Sequence, residues 1–301
     1  MIPKLLRLYR MLRFITSHPL NRHRKIASVF RLVSWQLSSR IANGPVTVNF
    51  VNNARLLVRP GMTGATGNVY TGLHEFEDMA FVLHVLRTSD VFVDVGANVG
   101  SYTILASAGL GAKTIAFEPI PQTYKYLLDN IRLNSVDDLV TAHNLGIGSE
   151  RGELAFTSGL DTVNHVLGSA ESGVASSRIP VNTLDESLGH AHPAIIKVDV
   201  EGFESCVIEG AAKALGRDSL LAVIMELNGS GERYGFDEAT LHARMLRYGF
   251  SPFAYEPFTR QLLSLNGKKS LSGNTLYIKN LQRVQARLAS AQPFTVLGQR
   301  I

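Results

Sequence analysis

Residues 91–103 read VFVDVGANVGSYT, an apolar run that passes through a glycine-containing turn into a helical pattern. Gly96 permits a sharp turn and the close approach of a ligand to the backbone. Gly100 lets the start of the following helix pack closely on the strand. The unpaired N–H groups of that helix N-terminus favour an anionic group, such as the carboxylate of a bound amino acid. The spacing narrows the ligand further. A dinucleotide fingerprint reads G-x-G-x-x-G. Here Asp94 and Gly96 are followed by Gly100, with no second glycine after one spacer residue. A pyrophosphate needs that second glycine, and no Lys-Ser/Thr follows to make a phosphate-binding loop. Asp94 would repel phosphates and would welcome the ammonium of an amino-acid moiety.

Outward from this turn, helix and strand patterns alternate. Helices are expected at 75–87, 99–108, 121–133, 203–215 (closed by Gly216) and 237–248. Strands are expected at 91–95, 113–118, 139–146, 194–200, 220–227, 252–256 and 274–279. Those at 91, 194 and 220 are nearly continuous apolar runs, the mark of strands buried on both faces of a parallel sheet. An α/β fold with a Rossmann-like, mostly parallel sheet and helices on both faces is therefore expected over residues 70–281. Residues 1–45 read as a basic helical arm. Residues 46–69 read as a β-hairpin turning at Asn52-Asn53 followed by a Gly-rich loop, and 282–301 as a C-terminal tail. The stretch 157–180, rich in Gly, Ser and Ala without a clear period, sits where a substrate-covering loop would fall.

Two more positions complete a cofactor constellation. Glu118 ends the strand after the turn, 22 residues beyond Gly96. A carboxylate about 20 residues on accepts both hydroxyls of a ribose. Asn144 follows the third strand, where an amide and the backbone could hold an adenine. An amino-acid end at Asp94–Gly100, a ribose at Glu118 and an adenine at Asn144 spell out S-adenosylmethionine. A structural reading of the same residues has Asp94 capping the turn and Glu118 simply solvated.

With these motifs in hand, the chain resembles the FkbM family of methyltransferases over roughly residues 70–280. The resemblance rests on GLHEFED (72–78), VFVDVGANVGSYT (91–103), IAFEPIPQTYKYLLDNIRLN (115–134), HNLGIGSERGELAF (143–156), VNTLDESL (181–188), IIKVDVEGFESCVIEGA (195–211) and NTLYIKN (274–280). It implies a class I methyltransferase sheet with an antiparallel C-terminal hairpin, and methyl transfer to a hydroxyl oxygen. It also implies that Asp94, Gly96, Asn98, Gly100 and Glu118 line the cofactor site. Asp199, Glu201 and Gly202 would then stand at the reaction centre. Family members act on varied acceptors, so the acceptor does not carry over.

In open α/β sheets the ligand lies at the carboxyl ends of the strands. Asp199 stands at the end of the strand at 194–200 with Glu201 and Glu204 close behind, and Glu226 stands at the same end of the next one. S-adenosylmethionine already carries a good leaving group, so the enzyme must mainly align the acceptor and take up its proton. Asp199 is expected as base or acceptor-orienting group, with Glu201 beside it. A divalent cation such as Mg²⁺ on Asp199, Glu201 and Glu204 is the lesser reading, because no dedicated ligand cage is evident. Glu204 reads as a helix cap, and His143 and His165 read as polar filling rather than bases.

Charge is distributed unevenly. Residues 1–74 hold eleven of the 30 Lys and Arg and no acid, and Glu75 is the first carboxylate. The remainder is net acidic, and it lacks an Asn/Asp-Pro-Pro-aromatic motif, which argues against nucleic acid as a substrate. The expected partner is a small-molecule or glycan hydroxyl. The arm reads either as a helical cap burying its stripe of Ile26, Phe30, Val33 and Leu37 on the body or as a peripheral membrane contact anchored by Phe30 and Trp35. The cap is the favoured reading. No run of about 18 apolar residues occurs, and Arg7, Arg10 and Arg13 interrupt any signal-peptide-like segment. A lone cysteine, Cys206, fits a reducing, cytoplasmic setting. Competing readings are a nicotinamide- or nucleotide-sugar-dependent enzyme on a similar sheet, and a non-catalytic S-adenosylmethionine-binding module.

Overall fold

The computed structural model describes residues 2–42, 44–157, 164–168, 171, 175–271 and 273–301. Helices α1 (Ile2–Ser17) and α2 (Lys25–Ile41) open the chain. The antiparallel hairpin β1 (Val46–Asn49) and β2 (Arg55–Val58) follows, with Asn52 at φ +54° in its turn. The Gly-rich stretch expected to be a loop is instead helix α3 (Thr63–Thr71). Packing overrides the low helix propensity of glycine there. Ala65 and Tyr70 are buried, and Gly67 lies so close to His74 that a Cβ would come within 2.2 Å of the ring.

The alternation then runs α4 (Phe76–Val85), β3 (Val91–Val95), α5 (Ser101–Leu110), β4 (Lys113–Phe117), α6 (Pro121–Leu133) and β5 (Val140–His143). Next come β6 (Gly146–Ile147), β7 (Gly152–Thr157), β8 (Ser176–Asn182), α7 (Leu184–Leu188) and β9 (Pro193–Val198). The chain continues with α8 (Glu204–Glu209), α9 (Ala212–Gly216), β10 (Ala222–Glu226), α10 (Glu238–Arg247), β11 (Ser251–Glu256) and β12 (Gln261–Ser264). It ends with β13 (Asn274–Ile278), α11 (Leu281–Ala289), β14 (Thr295–Val296) and β15 (Gln299–Arg300).

The main sheet has the order β12-β11-β13-β10-β9-β3-β4-β5. Strands β5, β4, β3, β9 and β10 are mutually parallel, and β13 inserts antiparallel between β10 and β11. This is the expected α/β fold, with the antiparallel hairpin at its C-terminal edge. The order reverses between β3 and β9: the chain builds outward through β4 and β5, then returns to build the other way through β10. A crevice opens at such a switch point, at the carboxyl ends of the strands.

Helices cover both faces. On one, Phe81, Phe92, Leu105, Ile195 and Ile224 pack together. On the other, Val93, Ile196, Val198, Val207 and Met245 do so. Leu20 of the arm, Val51 of the hairpin and Phe294 and Ile301 of the tail belong to the first cluster. The segments recognised in sequence therefore share one core.

Several boundaries differ from expectation. The strand expected to run to 146 stops at His143, and β6 pairs instead with β8 in a separate sheet, β6-β8-β7. The helix expected at 203–215 splits at Gly210. That residue passes the Gly148 carbonyl so closely that a Cβ would lie 2.1 Å from its oxygen. Strand β12 was not foreseen. Of the expected substrate-covering loop, 158–163, 169–170 and 172–174 lie outside the described residues.

Candidate active site

A two-lobed trough crosses the carboxyl ends of β3, β4 and β9. The larger lobe, about 690 Å³, runs from Gly96 and Asn98 past Glu118 and Ile120 to Gly146, Phe156 and Val166. The smaller, about 490 Å³, is bounded by Asn68, His74, Glu75, Tyr102 and Lys197. Gly96, Asn98 and Asp199 line both.

The turn at 94–100 is built as the spacing requires. Gly96 has φ +82°, and its N–H and that of Ala97 both donate to the Phe117 carbonyl, at 3.0 and 2.9 Å. A Cβ on Gly96 would lie 1.8 Å from the Asp199 carbonyl oxygen, so only glycine allows the two loops to touch. Asn98 takes φ +52°, and Gly100, at φ +94°, caps α5. Gly100 packs on Leu127 of α6, where a Cβ would come within 2.6 Å, and it lines neither lobe. Its role is close packing, against a helix and not the strand.

Glu118 is almost wholly buried. Its Oε2 accepts from the Asn98 N–H and its Oε1 from the Ile120 N–H, both at 2.9 Å. Burial pushes its pKa up to about 7, with the two amides pulling the other way. Asn144 is clamped elsewhere: its Nδ2 donates to the Glu118 and Pro119 carbonyls at 2.9 and 2.8 Å. It ties the loop after β4 to the end of β5, and the neighbouring Leu145 and Gly146 line the lobe in its place.

Asp94 is buried, and its Oδ2 accepts from the Thr103 hydroxyl at 2.7 Å. Burial lifts it to about 6 in spite of Lys197 and Thr103. Lys197, only 3% exposed, puts its Nζ 2.6 Å from Asp199 Oδ2 and 4.7 Å from the centre of the Tyr102 ring. Burial opposes its charge, but Asp199, Glu75 and Asp94 outweigh that and hold it protonated, above the ordinary lysine range. The Tyr102 hydroxyl in turn donates to Glu75. Sequence reading missed Lys197, Glu75 and Tyr102 as site residues. Lys197 left a signal, being the sole charge in an otherwise apolar buried strand and two residues before Asp199, hence on its face of the sheet.

Around the end of β9 the carboxylates crowd. Glu201, at φ +55°, lines the larger lobe, and burial and then Asp199 raise its pKa. Burial and then Asp199 and Glu201 lift Glu226 to about 8. Glu204 accepts from the Val200 and Gly202 N–H groups at 3.1 and 3.2 Å, so it ties down the loop before α8 instead of capping that helix as expected. Gly202 takes φ +103° and passes against the Ser230 carbonyl, where a Cβ would lie 2.5 Å away. His165 lines the larger lobe, its Nε2 3.0 Å from Glu171, while His143 stacks on Phe117 outside it. Cys206 is half-buried, and burial raises its thiol to about 11, leaving it protonated. Among the described residues no three His, Cys, Asp or Glu side chains converge as metal ligands.

An excess of carboxylates over one buried ammonium makes the trough attractive to a cation. The donor set fits S-adenosylmethionine, which carries both a sulfonium and an ammonium. It suits a pyrophosphate poorly.

Known proteins resemble this chain over part of its length. The family model described as the methyltransferase FkbM domain matches residues 94–252. The hexuronic acid methyltransferase AglP of Haloferax volcanii is 31% identical over 156 residues, covering 51% of this chain and 62% of that protein. The chain thus spans under two thirds of that relative's length. The methyltransferase sdnD of Sordaria araneosa is 34% identical over 83 residues, 27% of this chain and 32% of its own. The crystal structure of methyltransferase FkbM from Methylobacillus flagellatus KT superposes with a TM-score of 0.44 at 18% identity, covering 71% of this chain and 52% of that one. With its family model spanning the turn at Asp94, the buried carboxylate Glu118 and the whole of β9 and β10, this chain belongs to the FkbM methyltransferase family.

Proposed function

We propose that the chain transfers a methyl group from S-adenosylmethionine to a hydroxyl oxygen of a small molecule or glycan. The observation that carries this reading is the doubly bonded, buried Glu118 facing the Gly96 turn across one lobe, with the acidic Asp94–Asp199 end in the other. When bound, S-adenosylmethionine supplies an electrophilic methyl group on a positively charged sulfur. Glu118 would hold the ribose hydroxyls, and the lobe between Ile120 and Phe156 would enclose the adenine. Asp94, Glu75 and Asp199 would favour the cationic amino-acid end.

Asp199 lies where the lobes meet, and its bond to Lys197 fixes its orientation. We assign it to orienting the acceptor rather than to taking up the proton, since the ammonium occupies one of its oxygens. Glu201 is the proton acceptor in this reading. It borders the larger lobe, and burial together with Asp199 raises its pKa toward the working range of a general base. A sugar acceptor is favoured by the likeness to a hexuronic acid methyltransferase.

The test is a panel of sugars and uronic acids incubated with the full chain and isotope-labelled methyl donor. Label in an alkali-stable ether supports the proposal. Label only in alkali-labile esters would move the acceptor from hydroxyl to carboxylate, and label on nitrogen or carbon would overturn oxygen as the acceptor atom.

A further inference from the structure

We propose that the outer face of α2, together with α1, docks on the surface of an anionic lipid bilayer. The favoured expectation that the arm buries its apolar stripe on the body does not hold. Helix α2 turns Ser28, Leu32 and Trp35 inward. Trp35 is only 5% exposed, so it cannot serve as the lipid anchor expected of it. The opposite side presents Ile26, Phe30, Val33, Leu37 and Ile41, spaced by three or four residues and therefore on one stripe. Ile26, Phe30 and Ile41 are 89%, 71% and 79% exposed. Ten of the fourteen exposed large hydrophobics among the described residues lie within residues 1–41. A helix that buries a serine while exposing Ile and Phe has its polarity inverted for a water-facing position.

The orientation is fixed. Asn21 Nδ2 donates to the Ile15 and Tyr70 carbonyls at 2.9 and 3.1 Å, and Arg31 donates to the Tyr70 carbonyl at 3.2 Å. Leu32, Trp35 and Ile15 pack with Leu56 and Tyr70. The stripe therefore cannot roll inward without breaking this seam.

Charge selects the occupant. Lys25 and Arg40 are exposed on α2, Arg10 and Arg13 on α1, and no acid occurs before Glu75. An apolar stripe bordered by bases alone is the signature of an interfacial helix on anionic lipid. A second copy of the same stripe would bring these bases against each other. No helix among the described residues is long and apolar enough to cross a membrane, so the contact is with the surface. Helix α3 packs against α2 and also lends Gly64, Ala65 and Asn68 to the smaller lobe, so the docked face stands one helix away from the trough.

The test is co-sedimentation of the full chain with vesicles of phosphatidylcholine alone and of phosphatidylcholine with phosphatidylglycerol. Binding is expected to the anionic vesicles and to weaken with salt. The variant Ile26→Ser/Phe30→Ser/Leu37→Ser should lose about tenfold or more in partitioning. Lys25→Glu/Arg40→Glu should lose affinity for anionic vesicles only. Both keep the inward seam, and an unchanged thermal midpoint checks that they fold. Wild type left in the supernatant with anionic vesicles overturns the proposal, as does a triple variant that sediments equally well. A wild-type dimer converted to monomer by the triple variant, without vesicle binding, assigns the stripe to a second copy and also overturns it.

Discussion

Replacing Glu118 by Gln isolates the electrostatic cost of burying this carboxylate. Burial moves this group from the ordinary 4.5 to about 7. A raised carboxylate pKa in the folded state means that ionisation opposes folding. The stability associated with the neutral form is fully present below the unfolded value and is lost as pH rises through 7. A shift of that size corresponds to roughly 3 kcal/mol in total, of which about 2–3 kcal/mol falls between pH 5 and pH 8. Glutamine keeps the shape but does not titrate. At any single pH its stability also reflects the Asn98 or Ile120 N–H that its amide NH₂ cannot satisfy, a penalty of about 1–3 kcal/mol. The change of the difference with pH removes that constant. Urea unfolding of both proteins at pH 5 and pH 8 should show Glu118→Gln gaining about 2–3 kcal/mol on wild type as pH rises. Parallel pH profiles would refute the claim that Glu118 is held against its own ionisation.

Gly96→Ala should destabilise the protein by roughly 2–4 kcal/mol, from the positive φ and the overlap with the Asp199 carbonyl, read as a lowered thermal midpoint together with weakened S-adenosylmethionine binding. Asp199→Asn leaves the buried Lys197 ammonium without its nearest counter-ion and should cost about 3 kcal/mol along with methyl transfer. Adding Lys197→Met should restore part of the stability but none of the turnover, and a double variant no more stable than Asp199→Asn would contradict the pairing. Glu201→Gln should leave S-adenosylmethionine affinity within about twofold while lowering turnover by roughly 100-fold or more. Unchanged turnover would remove Glu201 as proton acceptor.

The central sheet was legible because its strands announce themselves. VFVDV, AIIKV and AVIME are apolar on both sides, and the helix at 121–133 falls where its Pro121 start and amphipathic spacing put it. Elements set by close approach were not. Gly67 and Gly210 read as loop or helix residues by propensity, while the neighbours they must admit, His74 and the Gly148 carbonyl, are distant from any local pattern. The same limit applied to the site. Asp94, Gly96 and Glu118 follow from one strand–turn–helix spacing and the next strand end, and Asn98 came only through the family resemblance. Asn144 sits in the expected place, but its amide is used by the backbone. Glu75 and Tyr102 join the site from helical segments whose periodicity says nothing of what they face. The arm shows the sharpest divergence: its stripe was visible at helical spacing, but which way a stripe points depends on the seam formed by Asn21, Arg31 and Tyr70.

Calorimetric titration of the full-length chain with S-adenosylmethionine tests the account most directly. One site per chain is expected, with affinity rising from pH 5.5 to pH 8 as Asp94 and Glu118 ionise around their values of about 6 and 7, and with the heat lost in Gly96→Ala. Absence of heat from a wild-type protein shown to be folded, at ligand concentrations up to millimolar, would contradict the account.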